Sequence, residues 1–371
     1  MSRTMFIILL GCLLTPVLCF AHENPGPANV EEKTLESRLA VLEKTQAELY
    51  HTLAQKKAAG LATPITDRIT LSGLLEVEAT AETLGMAAGN SEATSDLTLA
   101  TAQLGFGLKV TEEVRGNLSF LYEEDATDLE VDEAAIDINY APLFARFGRL
   151  YVPFGVFHSH FISDPLTLEL GETRETAALF GYGHELFSLS AFVFNGDAEK
   201  AGEEDHLRDW GTSLVVTPAE GLELGGSYLS DLADSDAELP GGDYRRRVGG
   251  WSAFATVEYG PLGVSGEVLG ALESFSADDL DADGDGAGDQ PRAWNVEVSW
   301  TPHEAVEVAV RLEGSREFAG QPATQYGMNT SWGIVDSTTL SLEYLRGEFD
   351  RGFGDGIDTR DLITAQLSLE F

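Results

Sequence analysis

Basic residues are scarce in this chain: 23 Lys and Arg stand against 62 Asp and Glu, a formal charge of −39 over 371 residues. That balance excludes a nucleic-acid partner, because phosphate binding needs a basic footprint. Cysteine is nearly absent, and its two copies, Cys12 and Cys19, both lie near the N-terminus. Beyond that region no apolar run reaches the ~20 residues of a membrane-spanning helix. What remains is still too apolar for an acidic disordered chain, with 43% hydrophobic residues and 19 Phe, 10 Tyr and 5 Trp. Abundant glycine and aromatics, acidity and short apolar stretches together fit a chain that crosses a membrane with strands.

Residues 1–21 read as a secretory signal. Arg3 supplies the positive start, Met5–Leu18 the apolar centre, and Cys19-Phe20-Ala21 a cleavage-like end, so that His22 would begin the mature protein. Removing the segment removes both cysteines. A disulfide framework, thiol catalysis and a cysteine metal site are thereby excluded.

Residues 22–66 hold a Pro/Gly/Asn spacer and then a helix over 31–59. Leu35, Leu39, Leu42, Leu49 and Leu53 recur in alternating steps of four and three, with Gln46 in the missing place. That is a coiled-coil seam of about three heptads. Glu31, Glu32 and Glu36 come early and Lys56 and Lys57 late, which matches the helix dipole. A lone helix of this length is marginal in water, so it is expected to pair with copies of itself, as a homotrimer for example.

From residue 67 to 371 the period is two. WNVEVSW puts Trp294, Val296, Val298 and Trp300 on one face and Asn295, Glu297 and Ser299 on the other. WSAFATVEY behaves likewise, with Trp251 and Tyr259 bracketing its apolar face. Aromatic rings at both ends of an apolar strand face suit the two headgroup levels of a membrane. The last strand alternates too. Ile363, Ala365, Leu367, Leu369 and Phe371 form an apolar face, while Thr364, Gln366, Ser368 and Glu370 form a polar one. A terminal aromatic of this kind is the usual ending of bacterial outer-membrane barrels, read by the assembly machinery. Phe371 is therefore the expected assembly signal.

Connections alternate between short turns, such as Ala141-Pro142 and Gly260-Pro261, and long acidic loops. The long set comprises Ala81–Asp96, Val152–Gly171, Asn195–Leu207, Ser230–Arg245, Ser274–Pro291 and Glu348–Arg360. The expected fold is all-β: an antiparallel transmembrane barrel of about 16 strands with both termini periplasmic, in the bacterial outer membrane. Closure follows because an open edge would leave backbone groups unpaired in hydrocarbon.

The segment Arg146-Phe147-Gly148-Arg149-Leu150-Tyr151-Val152-Pro153-Phe154-Gly155 resembles the entry to the long inward loop of phosphate-selective and related porins. With the signal segment, the leucine-seamed helix and Phe371, the whole chain resembles the LbtU-like siderophore porins. The resemblance implies uptake of iron–siderophore complexes through a barrel.

The loop after Pro153 is where a constriction would fold inward. Its expected pore-facing residues are His158, His160, Asp164, Glu169, Glu172 and Arg174, joined by Arg146 from the wall. Acids outnumber bases among them, which favours cations or the polar groups of a metal complex, since rings of charge set pore selectivity. A phosphate-selective pore should show a Lys/Arg ladder. Arg146, Arg245, Arg246, Arg247, Arg311 and Arg346 offer a local basic patch or a set of rim ion pairs. In the loop Asp281–Asp289, Asp281, Asp283, Asp285 and Asp289 follow a calcium-loop pattern without its twelfth-position Glu. The loop reads either as an extracellular calcium site or as a solvated acidic loop, and no cofactor is required.

No plug-sized segment precedes the barrel, so transport is expected to be passive. Alternatives are a general or anion/phosphate-type porin, and a structural tether whose helix grips the cell wall. An outer-membrane enzyme is disfavoured because no nucleophile–base set can be assembled without arbitrary choices.

Overall fold

A computed structural model describes residues 63–371, apart from 199, 203–205, 238 and 240–243. The signal segment and the coiled-coil helix expected over 31–59 lie outside the described residues. The chain forms β1 (Thr63–Thr66), β2 (Ile69–Met86), β3 (Ser91–Lys109), β4 (Val114–Glu123), β5 (Thr127–Tyr140) and β6 (Leu143–Tyr151). A short helix, α1 (Leu166–Gly171), precedes β7 (Arg174–His184) and β8 (Phe187–Phe194). Then come β9 (Asp209–Ala219), β10 (Leu222–Leu229), β11 (Gly250–Tyr259), β12 (Leu262–Ala271) and β13 (Arg292–His303). The last strands are β14 (Val306–Arg316), β15 (Thr324–Val335), β16 (Thr338–Glu348) and β17 (Ile357–Glu370).

Strands β2–β17 each pair antiparallel with their sequence neighbours, and β17 returns to pair with β2 from Leu74 to Met86. The result is the closed 16-strand cylinder that the alternation implied. β1 pairs with the first residues of β2.

The period-two reading holds residue by residue on β13. Val298 is 39% and Trp300 50% exposed, while Glu297 is 1% and Ser299 4% exposed. Outward side chains are apolar because nothing in the cylinder covers them. Inward ones are polar because they face neighbours across the lumen. The register then stacks inward residues into rows. Glu297 lies opposite Arg311 of β14, and Asn329 of β15 opposite Glu343 of β16.

One end of the cylinder carries the short turns at Ala141-Pro142, Gly260-Pro261 and Asp336-Ser337, together with the start of β2 and the end of β17. The long loops gather at the other end. Two of them are shorter than expected. The stretch Ala81–Asp96 is mostly strand, with a turn only at Ala87–Asn90, and β17 begins inside Glu348–Arg360. Small and polar residues, among them Thr80, Ala81, Thr83, Ala93, Thr94 and Ser95, keep the ladder going toward the long-loop end. Thr83 pairs with Ala93 on one side and Asp361 on the other.

Phe371 closes the seam. Its backbone exchanges hydrogen bonds with Gly73, at 2.9 and 3.1 Å. Its ring covers that glycine so closely that a Cβ there would sit 2.3 Å from Cζ. Gly73→Val should therefore push the ring aside and destabilise the folded barrel by about 1–3 kcal/mol, as overpacking does. The heating temperature at which the compact gel band of the detergent-folded protein disappears measures this. An unchanged temperature would mean the ring contact contributes nothing.

The interior departs from a uniformly wet lumen. Phe144, Leu150, Phe154, Phe157, Leu170, Phe192, Phe194, Leu229, Leu269 and Phe275 form one buried apolar cluster. It lies against β6–β8, β10, β12 and β13 and takes in loop residues such as Leu232, Tyr244 and Phe275. Each large side chain removed from water there is worth roughly 1.5–3 kcal/mol. Open space remains beside β2, β3 and β17 and, toward the short-turn end, beside β11–β13.

A candidate constriction inside the barrel

The chain leaves β6 and turns into the lumen rather than outward. Val152, Phe154, Phe157, Leu166 and Leu170 of this segment are buried in the apolar cluster, which pins its two ends. Between them the backbone crosses the lumen without regular structure. At this depth every peptide group needs a partner.

The wall supplies those partners as carboxylates. Glu267 of β12 accepts the Val156 and Phe157 N–H groups, at 2.8 and 2.9 Å. Glu297 of β13 accepts from His160 N–H at 2.7 Å, and Glu313 of β14 from Leu166 N–H at 2.8 Å. Glu343 of β16 accepts from Ile162 and Ser163 N–H, at 2.7 and 3.0 Å. Asn329 of β15 donates to the His160 carbonyl at 2.7 Å.

Arg311 of β14 supplies the missing positive charge. Its guanidinium is fully buried and donates to Glu297 at 2.8 Å and to Glu313 at 3.3 Å. It also donates to the Ser163 and Asp164 carbonyls, at 2.9 and 3.3 Å, and to Ser159 Oγ. The same group lies 4.3 Å from the centre of the Phe161 ring. One arginine thus joins two wall glutamates to the tip of the crossing segment.

Among the described residues, two sizeable open spaces border it. The first, about 220 Å³, lies between Ser159–Asp164 and the wall of β2, β3 and β17, where Glu76, Glu78, Thr101 and Gln366 face it. Gln366 donates to Glu78 at 2.8 Å. The charged side chains on this gap are Glu76, Glu78 and Asp164, and none of its lining residues is basic. The second, about 260 Å³, lies toward the short turn Gly260-Pro261 and is lined in part by His158, His160, Glu258 and Glu307. His160 Nδ1 is 3.0 Å from Glu307. Burial, with His160 beside it, pushes His158 down to about 4, so it is neutral at pH 7.

The residues expected at the constriction fall into three places. His158, His160 and Asp164 face the open spaces. Glu169 sits exposed on α1 and Glu172 just beyond it, at the long-loop end, where the Glu172 carbonyl accepts from Asp236 N–H at 2.8 Å. Arg174 and Arg146 belong to the wall. Arg174 pairs with Glu130 at 2.6 Å and Asp132 at 3.1 Å; Arg146 pairs with Glu133 and Asp137, each at 3.1 Å. A basic patch does not form, because the other arginines proposed for it are also engaged by acids. Arg245 meets Asp278, Arg246 meets Glu273, Arg247 meets Asp209, and Arg346 meets Asp361. The docking glutamates 267, 297, 313 and 343 were missed. Their signal is present as an inward-phase Glu on β12, β13, β14 and β16, with Asn329 in the corresponding row of β15.

In the long loop between β12 and β13, carboxylate oxygens of Asp281, Asp283 and Asp285 lie within 4.8 Å of one another. Asp289 does not join them. It is buried and accepts from Ala282 N–H at 2.7 Å, bracing the loop from inside.

No family model matches the chain. It is 24% identical over 324 residues to a UPF0422 protein of Coxiella burnetii, covering 80% of this chain and 68% of that one. It is 25% identical over 341 residues to a UPF0422 protein of Legionella pneumophila (strain Lens), of which it spans 61%. Among solved structures it resembles the outer membrane channel DcaP of Acinetobacter baumannii, with a TM-score of 0.59 and 17% identity, over 84% of this chain and 99% of that one. It also resembles OmpF of Salmonella typhi, with a TM-score of 0.58 and 10% identity, over 82% and 98%. OprB of Pseudomonas putida gives 0.56 and 12%, over 82% and 94%. The fold is that of the 16-strand porin-type barrels.

Proposed function

We propose that the protein is a passive outer-membrane channel with an off-centre acidic opening, and that it takes up iron–siderophore complexes or similar solutes. The observation that carries this reading is the crossing segment 152–173. Wall glutamates and Arg311 hold it across the lumen, and it leaves a gap bordered by Glu76, Glu78 and Asp164. Such an opening passes small solutes and favours cations. The acidic and neutral hydrogen-bonding groups suit the polar rim of a metal complex. The resemblance to siderophore porins supplies the solute class.

We take both termini as periplasmic, a reading supported by the start of β2 and the end of β17 sharing the short-turn end. Phe371 is taken as the assembly signal, and a homotrimer through the helix over 31–59 as the oligomer. The loop holding Asp281, Asp283 and Asp285 is taken as a weak calcium site of roughly millimolar affinity.

Planar bilayers test the channel. The purified protein should give stepwise conductance that falls when a ferric siderophore is added, and a deletion strain should grow poorly on that siderophore as its iron source. Conductance indifferent to every ferric siderophore, with normal growth, leaves a general porin. Absence of any conductance leaves the tether reading.

A further inference from the structure

We infer that Asp209, Asp231 and Asp234 form a divalent-cation site, best suited to Ca²⁺, that staples the outer loops over the apolar cluster inside the barrel. The site is separate from the loop holding Asp281 and does not depend on the channel reading.

Asp209 opens β9, Asp231 follows β10, and Asp234 ends the 3-10 turn Leu232–Asp234. Their exposures are 3%, 0% and 6%. One carboxylate oxygen from each lies within 4.8 Å of the others. Three acids so close and so dry repel one another unless cations sit among them or protons neutralise them.

Among the described residues, Arg247 is the cation seen bonded there. It bonds to Asp209 and lies 3.9 Å from Asp231. Tyr244 O–H donates to the second oxygen of Asp231, and Ala233 N–H to the first, at 3.2 Å. Gly196 N–H reaches Asp209 at 3.4 Å and Ala198 N–H reaches Asp234 Oδ1 at 3.1 Å. Asp234 Oδ2 is different. It is enclosed and has no hydrogen-bond partner among the described residues. Glu175 adds a further negative charge within interacting range of Asp234.

The balance is three carboxylates to one guanidinium, with one buried oxygen left over. A divalent ion removes the excess. Calcium fits better than magnesium, because it accepts irregular carboxylate shells at about 2.3–2.6 Å, whereas magnesium holds to an octahedron and retains water.

The position explains what the ion would do. Gly196 and Ala198 belong to the β8–β9 connection, and Asp231, Asp234 and Tyr244 to the β10–β11 connection. Ala201 N–H also bonds to the Tyr244 carbonyl at 2.7 Å, and Asp236 N–H to the Glu172 carbonyl at 2.8 Å. Three connections therefore meet at this cluster. Gly196 approaches Asp234 so closely that a Cβ would lie 2.0 Å from Oδ1, and no larger residue fits without moving the carboxylate. A bound ion would make the docking of these loops depend on divalent cations.

The test uses the full chain folded in detergent, stripped with EDTA, then titrated with CaCl₂ or MgCl₂. Calorimetry should show a calcium site that Asp234→Asn weakens at least about tenfold, given that even indirect supports of a metal ligand cost about 10–100-fold. Thermal unfolding supplies a sign that a purely structural role would not give. Without calcium, Asp234→Asn should be as stable as the unaltered chain or more so, because a buried charge has gone. With calcium it should be the less stable of the two. The double variant Asp281→Asn/Asp283→Asn should keep the calcium site. The proposal is overturned if the unaltered chain shows no calcium-dependent stability. It is equally overturned if Asp234→Asn keeps the response and the Asp281/Asp283 variant loses it.

Discussion

Arg311→Ala is expected to raise single-channel conductance several-fold and to destabilise the barrel by about 3–5 kcal/mol, the range for breaking one side of a buried ion pair. The guanidinium is fully buried and holds five groups at once: Glu297, Glu313, Ser159 Oγ and the carbonyls of Ser163 and Asp164. Alanine reaches none of them. Glu297 keeps one loop N–H and Glu313 keeps Leu166 N–H and the Gln325 amide, so the segment stays anchored at its ends. Its tip does not. Phe161 loses the cation above its ring, and Ser159–Asp164 is released from β14 into the gap's own volume. Conductance rises because the narrowest place is no longer fixed. Arg311→Lys should lie between the two, since it restores charge but not the planar fork that serves several acceptors. Bilayer conductance and the unfolding midpoint in detergent check both variants. If Arg311→Ala matches the unaltered protein in conductance and in midpoint, Arg311 does not hold the constriction.

Much of the cylinder was legible because a strand's inner and outer faces are written locally. Trp294, Val296, Val298 and Trp300 announce a lipid-facing row without reference to any other strand, and the loop lengths give the two ends. The interior was harder. Phe192 and Phe194 are inward and buried while Val193 is outward and 38% exposed, so 191–194 is apolar on both faces. A strand with no polar face signals a filled interior, as it does in sheets covered on both sides. Phe254 also interrupts an otherwise small and polar inner row, and it packs with Val156 of the crossing segment and Val215. Those positions carried the apolar part of the interior, and period-two reading alone passes over them.

The docking glutamates could not be distinguished by local pattern. An inward Glu that faces water and one that captures a backbone N–H have the same sequence signature. The N–H groups come from 110 to 181 residues away. Arginines misled for a related reason. Counting them gives a possible patch, whereas cross-strand register decides their partners: Glu297 lies opposite Arg311, and Asp361 opposite Arg346. In a chain this acidic nearly every inward cation is claimed before a solute arrives.

That surplus of acid makes the triple variant Glu76→Gln/Glu78→Gln/Asp164→Asn the most informative change to the opening. It should bring the cation-over-anion permeability ratio close to one at 0.1 M salt, with folding intact. A unit charge about 5 Å from a passing monovalent ion is worth roughly 0.8 kcal/mol in bulk water, and more where low-dielectric walls focus the field. Three carboxylates on one gap therefore favour a cation by about 2–3 kcal/mol, and each 1.4 kcal/mol is a factor of ten. The lining offers no basic residue to offset them. Gln and Asn preserve shape and hydrogen bonding, and the Gln366 amide still finds an oxygen at position 78. Thr101→Lys on the same wall should go further and favour anions. At 1 M salt the Debye length is about 3 Å, shorter than the gap, and the variants should converge on the unaltered protein. Reversal potentials across a salt gradient measure the ratio directly. A ratio unchanged by the triple variant at low salt would mean that ions pass elsewhere, and the gap between Ser159–Asp164 and β2 would lose its claim to be the opening.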